Sequence, residues 1–181
     1  TRALAHLQAG DQLNCLYPLG NGFPVPPIEQ GARRVLLVGG GVGTAPMLYY
    51  GRTLRATGHT PVFLLGGRSE RDLLQRERFS EIGHLCCPTE AGSAGEQGFV
   101  TQHSVWNTQH FDLVAACGPV PMMKAVAALS RQKGYACRVS LENMMACGIG
   151  ACLCCVEKTT KGNVCVCTEG PVFDIAELTW Q

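Results

Sequence analysis

Six of the eleven cysteines in this chain crowd into residues 147–167, and they limit what that stretch can fold into more than any other feature. The run Cys147-Gly148-Ile149-Gly150-Ala151-Cys152-Leu153-Cys154-Cys155 contains C-x4-C-x2-C, with a further thiol at Cys165 or Cys167. That is the spacing of a plant-type [2Fe–2S] site. Three thiolates on one tight loop wrap two irons only if the backbone comes close to the inorganic sulfides. Gly148 and Gly150 permit this, because they lack a Cβ and tolerate positive φ. Loop amides then donate hydrogen bonds to the sulfurs and help set the potential.

The fourth ligand stays open at this level. Lys161-Gly162-Asn163 predicts a hairpin turn whose second strand is Val164-Cys165-Val166-Cys167. Strand alternation would turn Cys165 and Cys167 the same way, so spacing does not choose between them. Cys154 is an extra thiol beside the better-spaced Cys155. The competing reading is structural zinc, which also uses C-x2-C; zinc ribbons usually pair two such knuckles, and no second one follows here. A disulfide scaffold is expected in a shorter, exported chain with an even cysteine count. Thr1-Arg2-Ala3-Leu4 has neither the basic start nor the apolar core of a signal peptide, so a cytoplasmic location is expected. The net charge of +1 gives no electrostatic reason for nucleic-acid or membrane partners. No run approaches the ~18 apolar residues of a membrane span.

The middle of the chain alternates strand and helix patterns. Val35–Val38, Pro61–Leu65, His84–Cys87, Phe111–Cys117 and Ala136–Leu141 are apolar runs of strand length. Helical stretches are expected near 44–57, 70–81 and 120–133. Such alternation predicts an α/β domain with a five-stranded parallel sheet covered on both faces. Asp11–Tyr17 alternates like a further strand, and the proline- and glycine-rich residues 18–32 break regular structure. From residue 143 the composition turns to glycine, cysteine and short strands, which predicts a small Cys-rich appendage with no core of its own.

The first strand runs into Gly39-Gly40-Gly41-Val42-Gly43-Thr44-Ala45-Pro46 and then a helix. A glycine loop at a strand's carboxyl end suits a pyrophosphate. It departs from G-x-G-x-x-G, since Pro46 stands where the last glycine would be, and a plain strand-to-helix turn is the alternative. Gly66-Gly67-Arg68-Ser69 and Cys117-Gly118-Pro119 end two other strands, which makes Arg68 a candidate phosphate contact. His59, His84, His103 and His110 have no partner pattern and are assigned to surface or structure.

Taken together, the Gly39–Pro46 loop, Ala116-Cys117-Gly118-Pro119 and Leu141-Glu142 resemble the ferredoxin–NADP⁺ reductase superfamily. Met145–Cys152 and the closing Val166-Cys167-Thr168-Glu169-Gly170-Pro171-Val172-Phe173 narrow this to the electron-transfer subunits of class 1B dihydroorotate dehydrogenases, over essentially the whole chain. The resemblance selects Cys167 over Cys165 and Cys155 over Cys154, which makes Cys147, Cys152, Cys155 and Cys167 the cluster ligands. It implies that Gly39, Gly40, Gly41, Gly43, Thr44 and Pro46 bind the NAD pyrophosphate, with Cys117, Gly118, Pro119 and Met122 beside the nicotinamide. Glu90, after the third strand, would repel a 2′-phosphate and accept a ribose hydroxyl, which favours NAD.

The family's Arg-x-Tyr-Ser-type FAD motif and its barrel are not in this sequence, and residues 1–17 resemble that barrel's last strand. The expected organisation is therefore the end of an FAD-binding barrel at 1–17, a linker at 18–32, an NAD-binding domain at 33–142 and a [2Fe–2S] domain at 143–181. The implied activity is electron transfer in pyrimidine biosynthesis, between an FMN-containing catalytic subunit in a heterotetramer and NAD⁺, by way of the cluster and FAD. A reductase of the same superfamily serving a hydrogenase- or sulfide/ferredoxin-linked partner is the alternative.

Overall fold

The computed structural model describes residues 2–180; Thr1 and Gln181, the outer limits of two expected segments, lie outside them. Five strands run parallel: β1 (Arg34–Gly40), β2 (Thr60–Gly66), β3 (His84–Cys86), β4 (Leu113–Cys117) and β5 (Ala136–Ser140), in spatial order β3-β2-β1-β4-β5. β6 (Val156–Thr159) and β7 (Gly162–Cys165) form a separate antiparallel hairpin. β8 (Val172–Asp174) then returns to the main sheet and lies antiparallel along β5, with Val139 opposite Phe173. The parallel strands are those the apolar runs predict. The antiparallel sixth was not anticipated, because three residues carry too little pattern to read as a strand.

Alternation along β1 explains the layering. Val35 and Leu37 join Phe63 and Leu65 on one face, under α1 (Thr44–Ala56) and α2 (Arg76–Ser80). Leu36 and Val38 join Val62 and Leu64 on the other, under α3 (Val105–Thr108) and α4 (Val120–Lys133). Phe63 is fully buried, and a side chain of that size contributes roughly 1.5–3 kcal/mol on burial. Among the described residues the C-terminal segment has no separate core. Val166, Cys167, Phe173, Ile175 and Leu178 pack into the α4-side cluster.

Three local expectations differ from what is observed. Residues 11–17 form no strand, and all of 2–22 are exposed. Alternation alone does not make a strand; the backbone groups need a paired neighbour, and among the described residues none lies alongside. The helix expected over 70–81 is split into a 3₁₀ turn at Glu70–Asp72 and α2, with Gln75 left-handed between them. Ser69 and Asp72 cap one another's backbone and close the first turn early. Finally, the strand expected over Val164–Cys167 stops at Cys165, and Val166–Glu169 forms a short helical turn, α5. Cys165 and Cys167 therefore sit on different elements, and strand alternation does not apply to them.

Candidate functional site

β1 is the switch point of the sheet: the chain moves outward one way through β2 and β3 and the other way through β4 and β5. A crevice forms where such strands end. Gly43 is wedged against β4 so tightly that a Cβ there would lie 2.3 Å from the Cys117 carbonyl oxygen. A Cβ on Gly40 would meet Met122 Sδ at 2.6 Å, and one on Gly118 would meet Gly40 O at 2.8 Å. The glycine loop, Cys117-Gly118, Pro119 and Met122 thus form one contiguous surface. Gly41 turns outward with φ +57° and nothing beside it, and its carbonyl accepts from Thr44 Oγ1 over 3.0 Å. The Gly41–Gly43 turn leads directly into α1, whose Thr44 amide donates to the Gly41 and Val42 carbonyls, and the N-terminal end of such a helix suits a phosphate. Thr44, Ala45 and Pro46 make that first turn, and a proline near a helix start forfeits an amide that has no helical acceptor in any case.

Arg68 and Glu90 lie together on the rim beyond β2 and β3. The Glu90 amide donates to the Gly67 carbonyl over 3.1 Å and the Ala91 amide to the Arg68 carbonyl over 3.0 Å. Both side chains are exposed. His59 is structural: it is buried, Nδ1 accepts from the Arg33 amide and Nε2 faces the Pro26 carbonyl.

In the sequence Glu142 is only part of a motif; in the fold it has a definite place. Cys117 Sγ donates to Glu142 Oε1 over 3.8 Å. Burial first, and the Glu142 charge second, push the Cys117 thiol up to about 11. One residue earlier, the Leu141 amide donates to the Pro171 carbonyl over 2.8 Å. The end of β5 is thereby joined to the nucleotide crevice on one side and to the turn after Cys167 on the other.

The cysteine loop begins just beyond. Gly148 and Gly150 take φ +72° and +77°, and Leu153, although not glycine, takes +57°. The loop's amides point at sulfur. Those of Ile149 and Cys152 lead in drawing the Cys147 thiol down to about 6, and the Cys152 amide lies 3.4 Å from Cys147 Sγ. The Gly150 amide donates to Cys167 Sγ over 3.2 Å, and the Cys167 amide to Cys155 Sγ over 3.4 Å, lowering Cys155 below the ordinary thiol value. Cys155 and Cys167 are buried, whereas Cys152 and Cys154 are exposed. Among the described residues no three His, Cys, Asp or Glu side chains gather around a point as a single ion requires. Backbone amides instead favour the thiolate at Cys147 and Cys155, while the neighbouring Cys155 pushes Cys167 up, and four thiols with amides aimed at sulfur are a donor set that fits an iron–sulfur cluster.

Sequence reasoning missed how the N-terminal connection closes over this loop. Asn21 Nδ2 donates to the carbonyls of Thr168 and Glu169 at 3.3 and 3.2 Å, and its amide donates to Gly170 O. Leu19 and Leu16 press on Gly148, where a Cβ would meet them at 3.1 and 3.3 Å. No local pattern marks Asn21, since its partners lie 147 and 148 residues away.

Residues 142–179 match the iron-sulfur cluster binding domain of dihydroorotate dehydrogenase B, and residues 37–128 match the oxidoreductase NAD-binding domain. The electron transfer subunit of dihydroorotate dehydrogenase B (NAD(+)) from Lysinibacillus sphaericus is 42% identical over 178 residues, covering 96% of this chain and 68% of that protein. The corresponding subunit from Shouchella clausii is 38% identical over 182 residues, covering 98% of this chain and 69% of that one. The chain belongs to this family of electron transfer subunits. A solved structure of an NADH-dependent reduced ferredoxin-NADP oxidoreductase, studied for flavin-based electron bifurcation, superposes with a TM-score of 0.86 at 31% identity. It covers 99% of this chain, which spans 64% of that one. The family carries the iron–sulfur domain on the segment of the thiol loop and the NAD-binding domain on the segment of the glycine crevice. Among the described residues no helix is long and apolar enough to cross a membrane.

Proposed function

We propose that this chain is the electron-transfer subunit through which a catalytic, FMN-containing dihydroorotate dehydrogenase exchanges electrons with NAD⁺ in pyrimidine biosynthesis. The observation that carries the reading is the double attachment of Leu141-Glu142, which joins the nucleotide crevice and the turn after Cys167 at the end of one strand. The bound groups supply the redox chemistry: NAD and FAD exchange hydride, and the [2Fe–2S] cluster passes single electrons. The chain's residues bind and orient them. The Gly39–Gly43 turn, Thr44 and the first turn of α1 hold the pyrophosphate, with Arg68 on the rim. Cys117, Gly118, Pro119 and Met122 form the floor beside the nicotinamide. Glu90 accepts the adenosine ribose hydroxyl and disfavours a 2′-phosphate. Cys147, Cys152, Cys155 and Cys167 hold the cluster.

Residues 1–17 belong in this reading to the end of an FAD-binding barrel, 18–32 to its connection, 33–142 to the NAD-binding domain and 143–181 to the cluster domain. Supporting it, Leu4, Leu7, Leu13, Leu16, Tyr17 and Leu19 are exposed apolar side chains that join neither core cluster of the described residues. The assembly is a cytoplasmic heterotetramer with the catalytic subunit. The test is reconstitution: the protein with iron, sulfide and flavin quantified is mixed with that subunit, and dihydroorotate-dependent NADH formation is followed. Iron and flavin at stoichiometric levels without NADH formation would sink the assignment. The likeness to the ferredoxin-NADP oxidoreductase favours a second reading, a reductase subunit serving another partner, and ferredoxin-dependent turnover in the same assay would select it.

A further inference from the structure

Cys165 is not among the four ligands proposed above, yet it is unlike the exposed Cys154. It ends β7, is half-buried, and packs against the core that includes Cys155 and Cys167. Its thiol donates to the Gly150 carbonyl over 3.8 Å, while the Gly150 amide donates to Cys167 Sγ over 3.2 Å. Both polar groups of Gly150 are thus engaged by sulfurs from the opposite segment, one acting as donor and the other as acceptor. Gly150 sits at φ +77°, has no side chain to restrain it, and lies between Cys147 and Cys152.

We propose that Cys165 is a positioning residue of the iron–sulfur site: its thiol pins Gly150 so that the Gly150 amide stays aimed at Cys167. An amide donating to a ligand sulfur stabilises the more negative, reduced form, so this restraint holds the reduction potential up. The inference rests on reading Cys147, Cys152, Cys155 and Cys167 as the ligands. Serine at position 165 preserves a donor; alanine removes it; valine fills the space without donating.

The test uses the holoprotein in four variants, Cys165→Ser, Cys165→Ala, Cys165→Val and Cys167→Ala. Iron and sulfide content, the electron paramagnetic resonance spectrum of the reduced protein and the midpoint potential are measured for each. The expected result is full iron and sulfide in the three Cys165 variants. The potential shifts negative with an altered spectrum in Cys165→Ala and Cys165→Val, Cys165→Ser recovers most of that shift, and Cys167→Ala loses its iron. An unchanged potential and spectrum in both alanine and valine variants overturns the positioning role while leaving the ligand reading intact. Iron lost from Cys165→Ala and kept in Cys167→Ala overturns the ligand reading itself and makes Cys165 the fourth ligand.

Discussion

Cys117 and Glu142 meet where β4 and β5 end, the buried thiol donating to the Glu142 carboxylate across 3.8 Å. Because burial and that carboxylate hold the thiol up to about 11, Cys117 is neutral at physiological pH, and the floor proposed above for the nicotinamide carries no thiolate. Exposed Cys154 should therefore be alkylated quickly at pH 8 and Cys117 slowly. Glu142→Gln removes one of the forces raising Cys117, so its labelling should accelerate several-fold. Residue-resolved mass spectrometry reads both rates, and equal labelling of Cys117 in the two proteins would refute the coupling.

Three buried thiols make the fold sensitive to alkali. Burial pushes Cys86 and Cys117 up to about 11 and Cys137 up to about 12, from an ordinary 9.0. A raised folded pKa means the native state keeps protons that the unfolded chain releases. Their contribution is complete below pH 9 and is lost as pH rises toward 11–12. Urea unfolding at intervals from neutral to alkaline pH should show stability falling above this point. Cys137→Ala should flatten the slope, and an identical slope in the variant contradicts the assignment.

Gly43→Ala places a methyl group 2.3 Å from the Cys117 carbonyl, which neither backbone can relieve without shifting. Overpacking of this kind costs about 1–3 kcal/mol. Because the same shift deforms the turn proposed to hold the pyrophosphate, NADH affinity should fall at least tenfold. Gly41→Ala has open space around it but a φ of +57°, so it should cost only about 1 kcal/mol in strain. Isothermal titration and denaturation on both variants separate crowding from strain.

Asn21 holds the carbonyls of Thr168 and Glu169, immediately after Cys167. Asn21→Ala removes these two side-chain bonds, at roughly 1 kcal/mol each in net terms. The turn carrying Cys167 should then open more often, and bleaching of the visible band by a chelator should accelerate by about tenfold. No change in bleaching rate would show that the connection does not guard the cluster.

Much of this architecture was legible because long apolar runs such as Val35–Val38 bury both faces, and burial overrides local ambiguity. The glycine loop and the cysteine spacing were legible for a related reason: each encodes its chemistry within about ten consecutive residues. What escaped depends on partners far off in the chain. Asp11–Tyr17 alternates like a strand but finds no neighbour among the described residues, and Ser69 and Asp72 divert the backbone before a longer helix propagates. Glu142 and Asn21 acquire roles only through contacts that the fold creates. Strand alternation left Cys165 and Cys167 equivalent, only the resemblance chose between them, and the fold puts them on different elements, β7 and α5.

The return of β8 to the edge of the sheet has a consequence for anyone recombining such proteins. The cluster segment resembles a cassette that begins where β5 ends, and a designer would cut between Ser140 and Asn143. Such a cut strips β5 of its antiparallel neighbour and leaves a bare strand edge, an invitation to intermolecular pairing and precipitation. It also removes Phe173, Ile175 and Leu178 from beneath α4. A chimera should therefore inherit β5, α4 and the tail as one inseparable piece, with the crossover placed upstream, in the loop before β4.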